Sequence, residues 1–261
     1  MFSDNHVHTQ YCPHGSPEVM EMYVQAAVKK GLTRLTFTEH APLMIDDTVP
    51  EKDSAMSLED LSAYIKEGEK LKKRYQHDID IRIGLEVDYI EGKEKETEAF
   101  LRKYSSLVPY SILSVHFILL PDGTYFCIDY SKESFMEKID QVGFDTLTQT
   151  YERTLHKALS LPFGDVTPKT LGHLNLIQKF DKAHGRKVLL DWTALLDKVS
   201  ENHYRLDYNF AGLDKPLYGQ TYPSAQLVSQ ALDQGIELSH GSDAHHPDEI
   251  GRYFERSVEN G

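Results

Sequence analysis

The sequence predicts an α/β protein built of βα units, with its strands parallel and arranged as a barrel. Three observations predict it. Short apolar segments alternate with longer helical patterns, as expected of strands joined by crossover helices. Seven such segments qualify as strands in the 261 residues, and no Ser/Gly/Pro-rich tract, charged tail or repeat separates them, so residues 1–261 are expected to form one domain. His, Glu and Asp recur where the apolar segments end, and in a parallel barrel the chemistry collects at the C-terminal ends of the strands.

The first segment, Asp4-Asn5-His6-Val7-His8, sets the theme. On an extended chain residues two apart share a face, so His6 and His8 present two imidazoles together while Val7 turns into the packing. Neutral imidazoles so paired suit a transition metal. Ser16-Pro17-Glu18 reads as a helix start, with Ser as N-cap and Pro at the first helical position, and Gly31 as the stop. Arg34–Thr38 is the second strand and delivers Glu39 and His40. A loop of about sixteen residues, 41–56, follows with Asp46, Asp47, Glu51 and Asp53; a loop so long is usually functional.

Leu58–Tyr75 is a charged amphipathic helix, and Ile79–Val87 alternates as a strand ending near Glu86. Lys93–Tyr104 is helical, Ser111–Phe117 is a strand ending at His116, and Pro121–Thr124 is a turn within a small excursion. Helical patterns run from Glu133 to Leu159, broken near Gly143. Thr170–Leu174 is a short strand carrying His173, and a further helical pattern extends through Asp191 to Val199. Arg205–Phe210 alternates again, Pro223–Gln234 is a helix, and Ile236–His245 is the last strand with its loop. A terminal helix is expected from Pro247.

Composition narrows the function. Net charge is −13, which disfavours the broad basic surface a nucleic acid requires. Two cysteines are too few for a disulfide framework. With neither an apolar run long enough to span a bilayer nor a visible signal peptide, no membrane role and a cytoplasmic location are expected. The sequence leaves a homo-oligomer open. Thirteen histidines are the unusual feature.

Taken singly, each candidate has a plain structural explanation. His173 reads as well as a packed core histidine, and Glu86, opposite in parity to Ile83 and Leu85, could face solvent. In a parallel barrel both faces are buried, however, and an unpaired acid there is costly. Asp243-Ala244-His245 repeats the i, i+2 pair after the small residues Gly241 and Ser242, whereas His246 points elsewhere. Cys12 reads as a loop-packing residue ahead of a thiolate metal ligand, His240 is left undecided with packing preferred, and His77, His156, His184 and His203 have no ligand context. Together the candidates are harder to dismiss, because core histidines have no reason to fall repeatedly at strand ends.

The ordered set His6-x-His8, His14-Gly15, Glu39-His40, Glu86, Ser114-Val115-His116, Gly172-His173 and Gly241-Ser242-Asp243-Ala244-His245 resembles the PHP (polymerase and histidinol phosphatase) phosphoesterase superfamily over essentially the whole chain. Cys12-Pro13-His14-Gly15, Thr38–Pro42 and Ala211-Gly212-Leu213 with Tyr222-Pro223 resemble its histidinol-phosphatase branch. Phe210 departs from the small polar residue often found there. The resemblance implies a distorted, TIM-like (β/α)7 barrel with a three-metal site of zinc, iron or manganese at the strand C-termini. His6, His8, Glu86 and Asp243 would hold one metal, with Glu86 bridging to a second completed by His116 and His173. His14, His40 and His245 would hold the third. The implied reaction is hydrolysis of a small phosphate monoester, L-histidinol phosphate foremost, by a metal-activated hydroxide. Glu86 and Asp243 would be its catalytic carboxylates, and Arg153, on the Tyr151-Glu152-Arg153 helix, reads equally as an additional phosphate fork or as a surface helix charge. Asp46, Asp47 and Glu39 are expected to meet the substrate's ammonium and imidazole. The rivals are another monoester such as phosphotyrosine, a nuclease, an amidohydrolase and a non-catalytic metal-binding protein.

Overall fold

The computed structural model describes residues 3–257. In chain order its elements are β1 (Ser3–Asp4), α1 (Met20–Lys29), β2 (Arg34–His40), α2 (Leu58–Arg74), β3 (Asp80–Asp88), α3 (Glu94–Lys103), β4 (Ile112–Ser114), β5 (Phe117–Leu119), β6 (Tyr125–Cys127), α4 (Lys132–Val142), α5 (Phe144–Ala158), β7 (Thr170–Leu171), α6 (Asp181–His184), α7 (Trp192–Glu201), β8 (Arg205–Asn209), α8 (Ala225–Asp233) and β9 (Leu238–Gly241). Seven of these strands form one parallel sheet in the order β1-β2-β3-β4-β7-β8-β9. Its two edges meet: Asn5 N–H donates to the His240 carbonyl at 2.9 Å, His8 N–H to Ala244 at 2.9 Å, and Asp243 N–H to His6 at 2.8 Å. The result is a nearly closed, distorted TIM-like barrel, as expected.

Strand parity explains where the acids go. Ile83 faces outward against α2, where a Cβ at Gly68 would lie 2.7 Å from its Cγ1. Glu86, of opposite parity, turns into the barrel and is 1% exposed, so the solvent-facing alternative does not hold. Helix α2 starts with the Ser57 hydroxyl accepting from Asp60 N–H and buries Leu61, Tyr64 and Leu71. The break expected near Gly143 separates α4 from α5, at a φ of 89° that glycine adopts freely.

Four local expectations need correction. The first strand is short, because after Asp4 the chain bends and only Val7 bridges, to Ala244. Ser16 does not cap α1: its N–H is tied to the His245 carbonyl at 2.9 Å, and the helix begins at Met20, where the buried face Met20, Tyr23, Val24 and Ala27 starts. The strand read as Ser111–Phe117 stops at Ser114, and Phe117 opens the antiparallel β5–β6 hairpin, the small excursion foreseen around Pro121–Thr124. Pro247 begins a single 3-10 turn, Pro247–Glu249, rather than an α-helix. There the chain bends so that Gly251, at φ 60°, donates its N–H to Asp4 Oδ2 at 2.8 Å. A second such turn covers Phe254–Arg256, and the rest of the expected helix lies outside the described residues.

Candidate metal centre

The strand C-termini deliver their polar side chains into one cavity of about 450 Å³. His6 and His8 flank buried Val7, their ring centroids 5.2 Å apart, as the i, i+2 spacing requires. Gly241 makes room for them: a Cβ there would lie 2.6 Å from His6 Cβ and 2.3 Å from Asp207 Oδ1. At the centre stands Glu86, whose two oxygens serve different histidines. Oε2 faces His6 Nε2 at 3.2 Å, His8 Nε2 at 3.4 Å and His40 Nδ1 at 3.2 Å. Oε1 faces His173 Nε2 at 2.9 Å and His116 Nε2 at 3.8 Å, and accepts from Ser114 Oγ at 2.6 Å. Asp243, at φ 50°, brings Oδ1 to 3.3 Å from His8 Nε2 and 3.7 Å from His6 Nε2.

Three of these imidazoles are oriented from behind by carboxylates. Asp207 Oδ2 lies 2.7 Å from His6 Nδ1, Glu39 Oε1 3.2 Å from His8 Nδ1, and Asp88 Oδ1 2.9 Å from His116 Nδ1. A carboxylate at Nδ1 fixes the ring and leaves Nε2 facing the site, the usual support for a metal-binding histidine. Asn209 Nδ2 donates to both Asp207 Oδ2 and Asp243 Oδ2, each at 3.1 Å, which links two of the carboxylates.

The charges in the metal-free chain follow from this packing. Burial opposes protonation of His6, but Asp207, Glu86 and Asp243 outweigh it and hold its pKa well above the ordinary histidine value. His8 is raised likewise against burial, by Asp243, Glu39 and Glu86. His116 rises to about 10, since Asp88 and Glu86 overcome the burial cost. Burial and then the neighbouring His8 push His40 and His245 well below the ordinary value, so both stay neutral. Glu86 and Asp243 remain ionised in spite of burial because His6 and its neighbours surround them.

The donor set fits metal ions. His6 Nε2, His8 Nε2, His40 Nδ1 and His245 Nε2 are buried and make no hydrogen bond among the described residues, although carboxylate oxygens lie near several of them. Buried polar atoms are seldom left so, and nitrogens and anionic oxygens converging without hydrogen-bond geometry are what a shared cation organises. Three groups have all their ligand atoms within 4.8 Å of one another: His6, His8 and Glu86; Glu86, His116 and His173; and His8, Cys12, His40 and His245.

His14 stands apart. It is exposed, on the loop before α1, with its ring 5.2 Å from His40 and 5.1 Å from His245, and its Nδ1 donates to the Asp53 carbonyl at 2.8 Å. Cys12, read as a packing residue, is buried beside the third group, with its thiol pKa pushed up first by burial. His246 is half exposed and caps the Pro247 turn, and His240 packs against Phe210 and bonds Ser257.

The expected phosphate and substrate contacts are corrected. Arg153 does not reach the cavity: on exposed α5 surface it donates to the Leu119 carbonyl at 3.0 Å and pairs with Glu91 at 3.7 Å. Glu39 is wholly buried and committed to His8 and Thr9. Asp47 bonds within its own loop, and neither it nor Asp46 lines the cavity. The cations that do line it are Lys179, Lys215 and Arg252, none of them foreseen. Asp88 and Asp207 were also missed, although strand parity with Glu86 and with Asn209 was available as a signal.

Fold and cluster together define a barrel protein with a polyhistidine–carboxylate metal centre at the C-terminal ends of its strands. Residues 4–210 match the PHP domain family. The chain belongs to that family. It is 39% identical over 266 residues to the histidinol-phosphatase of Bacillus subtilis, covering 98% of each chain. A crystal structure from Listeria monocytogenes, provisionally assigned as a histidinol phosphatase, superposes with a TM-score of 0.90 at 33% identity and covers 98% of this chain and 100% of the other. The Lactococcus lactis histidinol phosphate phosphatase, solved with zinc, L-histidinol and phosphate, shares the fold at a TM-score of 0.64 and 20% identity, with coverage of 94% and 86%.

Proposed function

We propose that the protein hydrolyses L-histidinol phosphate to L-histidinol and phosphate at a three-metal centre. The observation that carries the reading is the position of Glu86, one buried carboxylate whose separate oxygens face separate histidine sets. His6, His8, Glu86 and Asp243 would hold one ion; Glu86, His116 and His173 would hold a second; His14, His40 and His245 would hold the third. Bound there, divalent transition-metal cations such as zinc, iron or manganese supply Lewis acidity to phosphate oxygens and lower the pKa of water towards about 7. The B. subtilis relative bears the name of this activity, and L-histidinol and phosphate, found with zinc in the L. lactis protein, are the products of this reaction.

The chain's own residues do the rest. Lys215 takes the phosphate role first assigned to Arg153. It lines the cavity, its ammonium makes no hydrogen bond or ion pair among the described residues, and burial followed by repulsion from Lys179 lowers its pKa, so an incoming anion stabilises its charge. Lys179 is held on Asp129 at 2.9 Å. Arg252 is spent on scaffolding, donating to the Ser242 carbonyl at 2.8 Å and the Asp243 carbonyl at 2.9 Å. Val49, Phe117 and Leu176 give the cavity an apolar wall for the substrate's imidazole, and Asp53 gives an acid for its ammonium. The test is a phosphate-release screen of the metal-loaded protein against histidinol phosphate, phosphotyrosine and a dinucleotide. Preferred turnover of histidinol phosphate is expected; preference for either of the others reassigns the substrate.

A further inference from the structure

His14 is the one proposed ligand that stands exposed on a loop with no carboxylate bonded to its ring, and an imidazole so placed is otherwise free to rotate. What holds it is a single peptide unit. The Asp53 carbonyl accepts from His14 Nδ1 at 2.8 Å, and since a carbonyl only accepts, Nδ1 carries the proton and Nε2 keeps its lone pair. The N–H of the same peptide, that of Ser54, donates to Asp47 Oδ2 at 2.9 Å. The Asp53–Ser54 peptide is therefore gripped at both ends, by an imidazole on its oxygen and a carboxylate on its nitrogen.

Asp47 is itself fixed. Its Oδ1 accepts from Val49 N–H at 3.0 Å and Ser54 Oγ at 3.0 Å, and its carbonyl accepts from Lys52 Nζ. Val49 is buried in a small cluster with Ile90, Phe117 and Cys127, which anchors the loop. The loop's two ends are also joined, Met56 N–H to the His40 carbonyl at 3.3 Å. It thus leaves from one proposed ligand of the third ion, returns to it, and on the way presents a carbonyl to another.

We propose that Asp47 is a positioning residue for the third metal, acting on His14 through the Asp53–Ser54 peptide. It does at one remove what Asp207, Glu39 and Asp88 do directly for His6, His8 and His116. A carboxylate on the peptide N–H orients the carbonyl and polarises it into a stronger acceptor, which makes His14 Nε2 a better-aimed and more basic ligand. This rests on the reading of His14 as a ligand, and the experiment separates the two.

Asp47→Asn is the deciding variant. Asn Oδ1 can still accept from Val49 and Ser54 Oγ, but an amide NH₂ replaces the acceptor for Ser54 N–H. Metal affinity is measured by competition with a chelator, with metal per chain by elemental analysis, for the wild type, Asp47→Asn, Asp47→Ala and His14→Ala. Melting of the metal-free proteins is recorded beside it. The expected result is about tenfold weaker binding of one ion only in Asp47→Asn, a larger loss in His14→Ala, and unchanged metal-free melting in Asp47→Asn. Wild-type affinity in Asp47→Asn with a loss in His14→Ala overturns the relay while leaving the ligand assignment intact. Wild-type affinity in His14→Ala overturns the ligand assignment and the relay with it. Equal weakening of all the ions in Asp47→Asn, with lower metal-free melting, means that the loop serves only the fold and also overturns the relay.

Discussion

On the floor of the cavity, His6, His8 and His116 each present Nδ1 to a carboxylate carried by another strand, whereas at the rim His14 gives its Nδ1 to the backbone of a loop. The floor is built into the barrel: His6 and His8 are 0% exposed and Glu86 1%. Its geometry cannot relax without disturbing β1, β3 and β8, so it is set when the barrel closes. The rim is assembled from the 41–56 loop, the Cys12–Gly15 segment and Lys215, which lie outside the strands and are held by local contacts such as those of Asp47 and Val49. A centre made this way takes its floor from barrel closure and its entrance from loops, the part of a barrel that varies with the substrate.

Glu86→Gln should break the floor. An amide cannot present anionic oxygens to both histidine sets, so a loss of kcat/KM on the order of 10³ is expected, together with loss of metal by elemental analysis. A loss below about tenfold would mean that the floor is not the reacting end.

His245→Ala lies where floor and rim meet and should cost on the order of 10² in turnover, with loss of one metal. His246→Ala, on the exposed neighbour, should stay within about twofold of the wild type, as expected of a surface residue. If the neighbour proved the more damaging, the rim ligand would have to be moved by one residue.

Proton linkage sharpens the contrast further. With a pKa of about 10 in the metal-free chain, His116 carries a proton at neutral pH that a cation must displace, so the apparent affinity of that site should rise about tenfold per pH unit between about pH 6 and 8. A raised histidine pKa stabilises the metal-free fold fully below its unfolded value, about 6.5, and that contribution is lost as pH rises through about 10. Metal-free melting should therefore decline across that window, and pH-independent metal binding would contradict a protonated floor. The smallest effect is expected of Arg153→Ala, within about twofold in kcat/KM, because a half-exposed arginine paired with Glu91 touches neither region.

Much of this was legible in the residue order. The alternation of apolar segments with helical patterns specified the parallel βα units, because side-chain period is a local property of strand and helix. The i, i+2 spacings of His6 with His8 and of Asp243 with His245 specified which imidazoles and acids share a face, and the family motifs fixed the chemistry. Parity also excluded His246. What the tertiary structure alone decided is everything that depends on which distant strands become neighbours. Asp207 meets His6 across 201 positions of sequence, and Lys215 rather than Arg153 faces the cavity because α5 turns Arg153 to the hairpin outside. Glu39 looked free for substrate and is bound to His8 and Thr9, because the closed barrel buries it against the His8–Thr9 segment. Spacing along the chain constrains neighbours within an element; contacts between elements are set by barrel closure, which no local pattern encodes.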